Sequence, residues 1–196
     1  MKRSLISYAI LLCILTLTAC STQSKKTQLE EEVTMSRQDA QDILKYYDLS
    51  LSSLKNWVNT DQIKEVMTYL DAKGDTTNLP FIEAPQISAA DTTYLVNPGN
   101  YFDNVNRKNL KENYKRLFPT ITAFYENYNT YRLYMQNKDY KNDNYALADK
   151  IRKEELILSI SLTEYKSVVY DILTPLVKQA NNTISALDKL DAEKAK

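Results

Sequence analysis

Histidine is absent from this 196-residue chain, and glycine and cysteine occur only twice each. The first absence removes the imidazole acid–base shuttle, Ser-His-Asp and Cys-His nucleophilic catalysis, and histidine-bearing zinc sites. Scarce glycine (Gly74 and Gly99) argues against a protein of strands and tight hairpins, and against glycine-rich phosphate loops. Both cysteines, Cys13 and Cys20, lie near the N-terminus, so the body of the chain has no thiol or disulfide and relies on packing. Neither charge sign is in excess, with 25 Lys and Arg against 25 Asp and Glu. No nucleic-acid partner is therefore expected, because nothing would neutralise a phosphate backbone. Strand-type alternation and internal repeats are missing as well.

What is present begins at the N-terminus. Lys2-Arg3 precede an apolar run from Tyr8 to Leu17, which small residues close: the layout of a secretory signal. The stretch Ile6 to Ala19 is shorter than the ~20 residues of a membrane span. Leu17-Thr18-Ala19-Cys20 resembles the lipobox of bacterial lipoproteins. Leu17 fills an apolar subsite, Thr18 and Ala19 fit a peptidase, and only Cys supplies a lipid-accepting sulfur. The resemblance implies cleavage between Ala19 and Cys20 and a diacylglyceryl thioether on Cys20. With acyl chains contributing about 0.8 kcal/mol per buried methylene, two or three chains hold a protein on a bilayer. The expected location is the cell envelope, outside the cytoplasm, and the outer membrane facing the periplasm in a diderm host.

The expected organisation is a signal peptide over 1–19, a lipidated cysteine with a polar tether over 20–34, a helical domain over 35–190 and a frayed tail over 191–196. Ser36 with Asp39 predicts a helix start, followed by an apolar stripe of Ile43/Leu44, Tyr47, Leu51, Leu54 and Val58. Asn59-Thr60-Asp61 caps a shorter helix carrying Ile63, Val66, Met67 and Leu70, which Gly74 is placed to end. Residues 75–100, punctuated by Pro80, Pro85 and Pro98-Gly99, read as a long irregular loop whose apolar residues pack on the helices.

The cleanest pattern is Leu110, Tyr114, Leu117, Ile121, Phe124, Tyr128, Tyr131 and Met135, in steps of four and three. Pro119 inside it predicts a kink or a restart. A turn over 137–143 leads to a third long helix, capped by Asn142 or Asp143. Its expected stripe is Ile151, Leu158, Leu162, Tyr165, Val169, Ile172 and Leu176, then Thr183, Ala186 and Leu190, with Pro175 as a second kink. The fold class is all-α: a kinked antiparallel bundle of three long helices plus one short one.

The stretch Tyr140-Lys141-Asn142-Asp143-Asn144-Tyr145-Ala146-Leu147-Ala148-Asp149-Lys150, preceded by Tyr128, Tyr131 and Tyr134, resembles the YiiG-like bacterial lipoproteins, a family of unknown function. Asn142 stands where that family usually has an acid. The resemblance implies an all-helical, membrane-anchored envelope protein and brings no catalytic residues. It also implies a short or truncated member, because longer ones continue with further helices and a bundle missing partners exposes a face.

Of 15 tyrosines, Tyr125, Tyr128, Tyr131, Tyr134, Tyr140 and Tyr145 crowd one end of the helical hairpin. Core filling with hydroxyls reaching water or a carbonyl is the simpler account. An aromatic surface for an envelope protein, a peptide or a glycan is the functional one. Trp57 reads as a packing anchor for the long loop, or as a ligand platform. Asp139, Asp143, Asp149 and Glu154-Glu155 are carboxylates near one turn, but they lack the spacing of a calcium loop, so helix capping is preferred and no metal or other cofactor is expected. Glu112, Glu126, Glu154, Glu155 and Glu164 are candidates by type for carboxylate chemistry on envelope polymers. The leading expectation is a non-enzymatic binding or scaffolding module with a Tyr-rich contact surface. A carboxylate-dependent hydrolase and a purely structural spacer are the alternatives.

Overall fold

The computed structural model describes Glu30, residues 33–71 and residues 79–195. The signal peptide, the Ala19–Cys20 junction, most of the tether and the helix-ending Gly74 lie outside the described residues. The described elements are α1 (Arg37–Trp57), α2 (Thr60–Asp71), α3 (Ala89–Leu95), α4 (Asn104–Gln136), α5 (Tyr140–Asp143) and α6 (Ala146–Lys194), with no strand among the described residues.

Side chains set the helix starts. At α1, Ser36 Oγ accepts from the Asp39 N–H at 3.0 Å and donates to its carboxylate at 2.7 Å. At α2, Asn59 Oδ1 accepts from the Asp61 and Gln62 N–H groups at 3.0 and 3.2 Å. At α4, Asp103 Oδ1 accepts from Val105 and Asn106, both at 2.8 Å, which holds its carboxyl below the usual carboxylate range. Asp143 accepts the Leu147 N–H at 3.0 Å at the head of α6. Each bond accepted from a backbone N–H satisfies an amide that the first helical turn leaves unpaired.

The chain divides into two compact units, residues up to Leu44 with Leu176–Lys196, and Lys45–Pro175. In the first, Ala40, Ile43, Ala180, Thr183 and Ala186 are buried, so mostly small side chains let the helices approach. Arg37 bridges Asp188 at 2.5 Å and Asp191 at 2.9 Å, and Gln179 donates to Thr34 at 2.8 Å.

The core of the second unit is aromatic. Tyr46 sits edge-on to Phe102, centroids 5.1 Å apart, beside Tyr94 and Tyr114. Its hydroxyl donates to the Leu95 carbonyl at 2.8 Å. Two cations of α6 serve the carbonyl ends of other helices. Lys166 Nζ donates to Val58 O and Arg152 Nε to Leu70 O, each at 2.8 Å. Such pairings satisfy terminal carbonyls and oppose the negative end of the helix dipole.

The α4 stripe is buried at all eight expected positions, and α4 runs unbroken through Pro119 with no restart. In α1 the expected stripe holds at Ile43, Leu54 and Val58 but fails between them. Tyr46, Ser50 and Ser53 are buried, whereas Tyr47 is half-buried and Leu51 is exposed. Tyr46 wins because its hydroxyl has a carbonyl to reach, and serine volumes leave room for rings. In α6 the buried face is Ile151, Glu155, Ser159, Leu162, Val169 and Leu173, while Leu158, Tyr165, Ile172 and Leu176 are only half-buried. Polar Glu155 and Ser159 hid the true face from a hydrophobicity count.

The irregular loop expected over 75–100 contains α3, which a side-chain cap opens: Ser88 Oγ accepts from the Asp91 N–H at 3.0 Å. The turn over 137–143 likewise holds α5. Its left-handed positions are Lys138 (φ 62°), Asn144 (φ 53°) and Tyr145 (φ 66°), so this chain makes sharp reversals without glycine.

Candidate binding groove

One wall of the groove is the middle of α4. Ile121 and Tyr125 point toward the core, while Thr122, Glu126 and Asn129 follow at steps of four and three on the adjoining face. The other wall is the irregular segment 79–88. Leu79 and Ile82 are buried, which presses this segment onto the helices. Two side chains pin its carbonyls: Tyr128 Oη donates to Pro80 O at 2.8 Å, and Trp57 Nε1 donates to Gln86 O at 3.2 Å. A segment without its own ladder needs such partners for backbone groups removed from water. Trp57 is held in turn by Phe118, edge to face at 5.5 Å.

Between the walls lies a groove of about 240 Å³. Phe81, Ile82, Pro85, Ile87 and Tyr125 supply most of its apolar surface, and Glu126 and Asn129 its polar rim. Drug-sized ligands occupy roughly 300–1,000 Å³, so this volume suits one side chain or two. Phe81 is 66% exposed. The Arg132 guanidinium stands 5.4 Å from its ring centroid and also donates to Asn129 at 3.0 Å. Tyr125 donates to Gln62 Oε1 at 2.8 Å, and burial raises its pKa, so it meets a ligand as a neutral phenol. The arrangement can bind and orient an apolar group beside a polar rim.

The structure distributes the singled-out aromatics as follows. Tyr125 lines the groove, and Tyr128 and Trp57 hold the segment that forms it. The Tyr128 pKa is pushed up to about 12, by burial first and then by Tyr69 and Glu65. Tyr131 is buried. Tyr134 is buried and donates to Asp143, which that bond holds below its usual range. Tyr140 is buried and stacks on exposed Tyr145, centroids 4.8 Å apart and planes 12° apart. Gln62, Arg132 and Asn129 were not anticipated. The last two flank Tyr125 and Tyr128 on α4, so the helical step from those tyrosines was the available signal.

Apart from Glu112 and Glu164, the singled-out carboxylates do not gather. Among the described residues no group of three or more acids could hold a metal ion. Asp149 pairs with Arg152 at 2.8 Å, and Glu154 with Lys150 at 3.8 Å. Glu112 and Glu164 line one shallow depression with Arg116, both exposed. Glu155 differs from them all. It is fully buried, and neither carboxylate oxygen meets a hydrogen-bond donor at good geometry. Desolvation pushes its pKa up to about 8, Glu154 adds to the rise, and Asn127 opposes it.

Fold and groove together define an all-helical protein with an aromatic core. The chain belongs to the family described as a domain of unknown function, DUF6845, matched over residues 34–186. No curated protein matches it. It is similar to a solved DUF3829 family protein from Bacteroides vulgatus ATCC 8482, with 58% identity, TM-score 0.72, and coverage of 76% of this chain and 98% of that one. An alpha-helical protein from Bacteroides fragilis NCTC 9343 is 37% identical at TM-score 0.63, over 75% of this chain and 56% of the other. An uncharacterised DUF3829-like protein from Bacteroides thetaiotaomicron VPI-5482 is 34% identical at TM-score 0.61, over 80% and 54%. The chain thus spans about half the length of the last two.

Proposed function

We propose that this protein is a non-enzymatic binding module of the bacterial envelope, held at a membrane by lipid on Cys20. Its groove between segment 79–88 and α4 takes an apolar side chain from an extended segment of an envelope protein. The observation that carries this reading is Phe81, two-thirds exposed (66%) at the mouth of an apolar groove. A large aromatic held in water by an otherwise pinned segment is what a docking surface requires. Glu126 on the rim and exposed Glu83 on the segment favour a basic residue beside the apolar one. Exposed Tyr145 offers a separate aromatic contact. The lipobox and the likeness to YiiG-like lipoproteins support the envelope location, and the Bacteroides neighbours support a bacterial one. No helix of the described residues is long and apolar enough to cross a membrane.

A short extended peptide with one Leu between Lys residues is the probe. Titrated into the protein, it should move the NMR resonances of Ile82, Ile121 and Tyr125. Phe81→Ala should weaken it, and Glu126→Lys should turn the preference to acidic flanks. Absence of any groove shift at saturating peptide refutes the site. Incorporation of labelled palmitate that Cys20→Ala abolishes tests the anchor, and a wild-type chain that takes up no label refutes it.

A further inference from the structure

A second surface lies apart from the groove, on the solvent side of α6. Leu156 is 51% exposed, Ile157 64% and Ile160 51%. At 3.6 residues per turn these three share one sector of about 100° with Lys153 and Glu164. A contiguous apolar cluster on one helix face in water marks an interaction site.

The charges around the cluster say what covers it. Lys153 lies on its N-terminal side and Glu164 on its C-terminal side; both are exposed and neither has an ion-pair partner among the described residues. The pattern is centred between Leu158 and Ser159. Counted outward from that point, Ile157 and Ile160 are equally far, and so are Lys153 and Glu164. An antiparallel copy of the same helix therefore sets Ile157 against the second copy's Ile160. It also sets Lys153 against the second copy's Glu164, and each pairing occurs twice about the axis. A parallel copy would place like charges together.

We infer that this face of α6 pairs with a second copy of this chain, antiparallel about a two-fold axis between Leu158 and Ser159. Self-complementarity of this kind is the mark of an isologous dimer. One helix pair covers less than a standard interface, so the dimer is reversible and concentration-dependent.

The test uses the full chain, mixed from isotopically light and heavy preparations and treated with a zero-length amine–carboxylate cross-linker. Within one helix Lys153 and Glu164 stand about 16 Å apart at 1.5 Å per residue, too far to be joined directly. A Lys153–Glu164 link between light and heavy chains is the expected product. Lys153→Glu and Glu164→Lys should each weaken self-association, but should associate when mixed and when combined in one chain. Ile157→Lys with Ile160→Lys should leave a folded monomer, since exposed helix positions accept lysine. A chain that stays monomeric at high concentration overturns the proposal. So does a dimer that yields no such link, or one indifferent to the charge reversals because another surface or molecule covers the face.

Discussion

Glu155 makes stability depend on pH in a direction opposite to that of most carboxylates. Its acid is fully buried on α6, where only Asn127 offers it a donor and not at good geometry, and its folded pKa is raised from 4.5 to about 8. The folded chain therefore holds a proton that the unfolded chain has lost between those values. By linkage, this group's contribution is greatest below pH 4.5, falls as pH rises through the window, and levels off above about 8. At about 1.4 kcal/mol per unit, the loss reaches roughly 4 kcal/mol near pH 8 and stays under about 1 near pH 5. Glu155→Gln replaces the acid with an isosteric neutral group that carries one more N–H donor, a cost that is the same at every pH. Only the ionisation cost varies with pH, so the variant should gain on the wild type by roughly 3 kcal/mol between pH 5 and pH 8. Urea unfolding followed by circular dichroism at several pH values reads this directly. The chain has no histidine to titrate within the window, and the comparison of the two proteins cancels the groups they share. If the two proteins trace parallel curves across the window, the carboxylate is not desolvated as described and the reasoning fails.

Two further outcomes follow from single contacts. Tyr46→Phe keeps the ring but strands the buried Leu95 carbonyl, and should cost about 1–3 kcal/mol in chemical denaturation. A loss indistinguishable from zero would mean that water reaches that carbonyl. Asp103→Ala removes the acceptor for two amides at the head of α4 and should cost about 1 kcal/mol, while Asp103→Asn should restore most of it. Equal losses in both variants would show that side-chain capping is not the cause.

Helix boundaries were legible because caps are local. Ser36, Asn59 and Asp143 each need only the amides that follow them, and spacing reveals those. Ser88 follows the same rule but was masked by the prolines around it. The α4 stripe was legible because every member is apolar or Tyr, so chemistry and period agree. Segment 79–88 was recognisable as irregular and apolar, but not as a groove wall. Tyr128, Trp57 and Arg132 reach it from distant positions, and no local pattern encodes that meeting.

By itself the sequence determined an all-helical protein without histidine or thiol chemistry in its body, its helix starts and the seam of α4. It also carried the N-terminal pattern behind the proposed lipid anchor. Tertiary structure alone decided the rest of the buried faces of α1 and α6: Tyr46 over Tyr47, and Glu155 and Ser159 inside while Leu156, Ile157 and Ile160 face water. Which side of a helix is buried depends on what the neighbouring helices leave room for and can hydrogen-bond, and that information is held in the packing of remote residues.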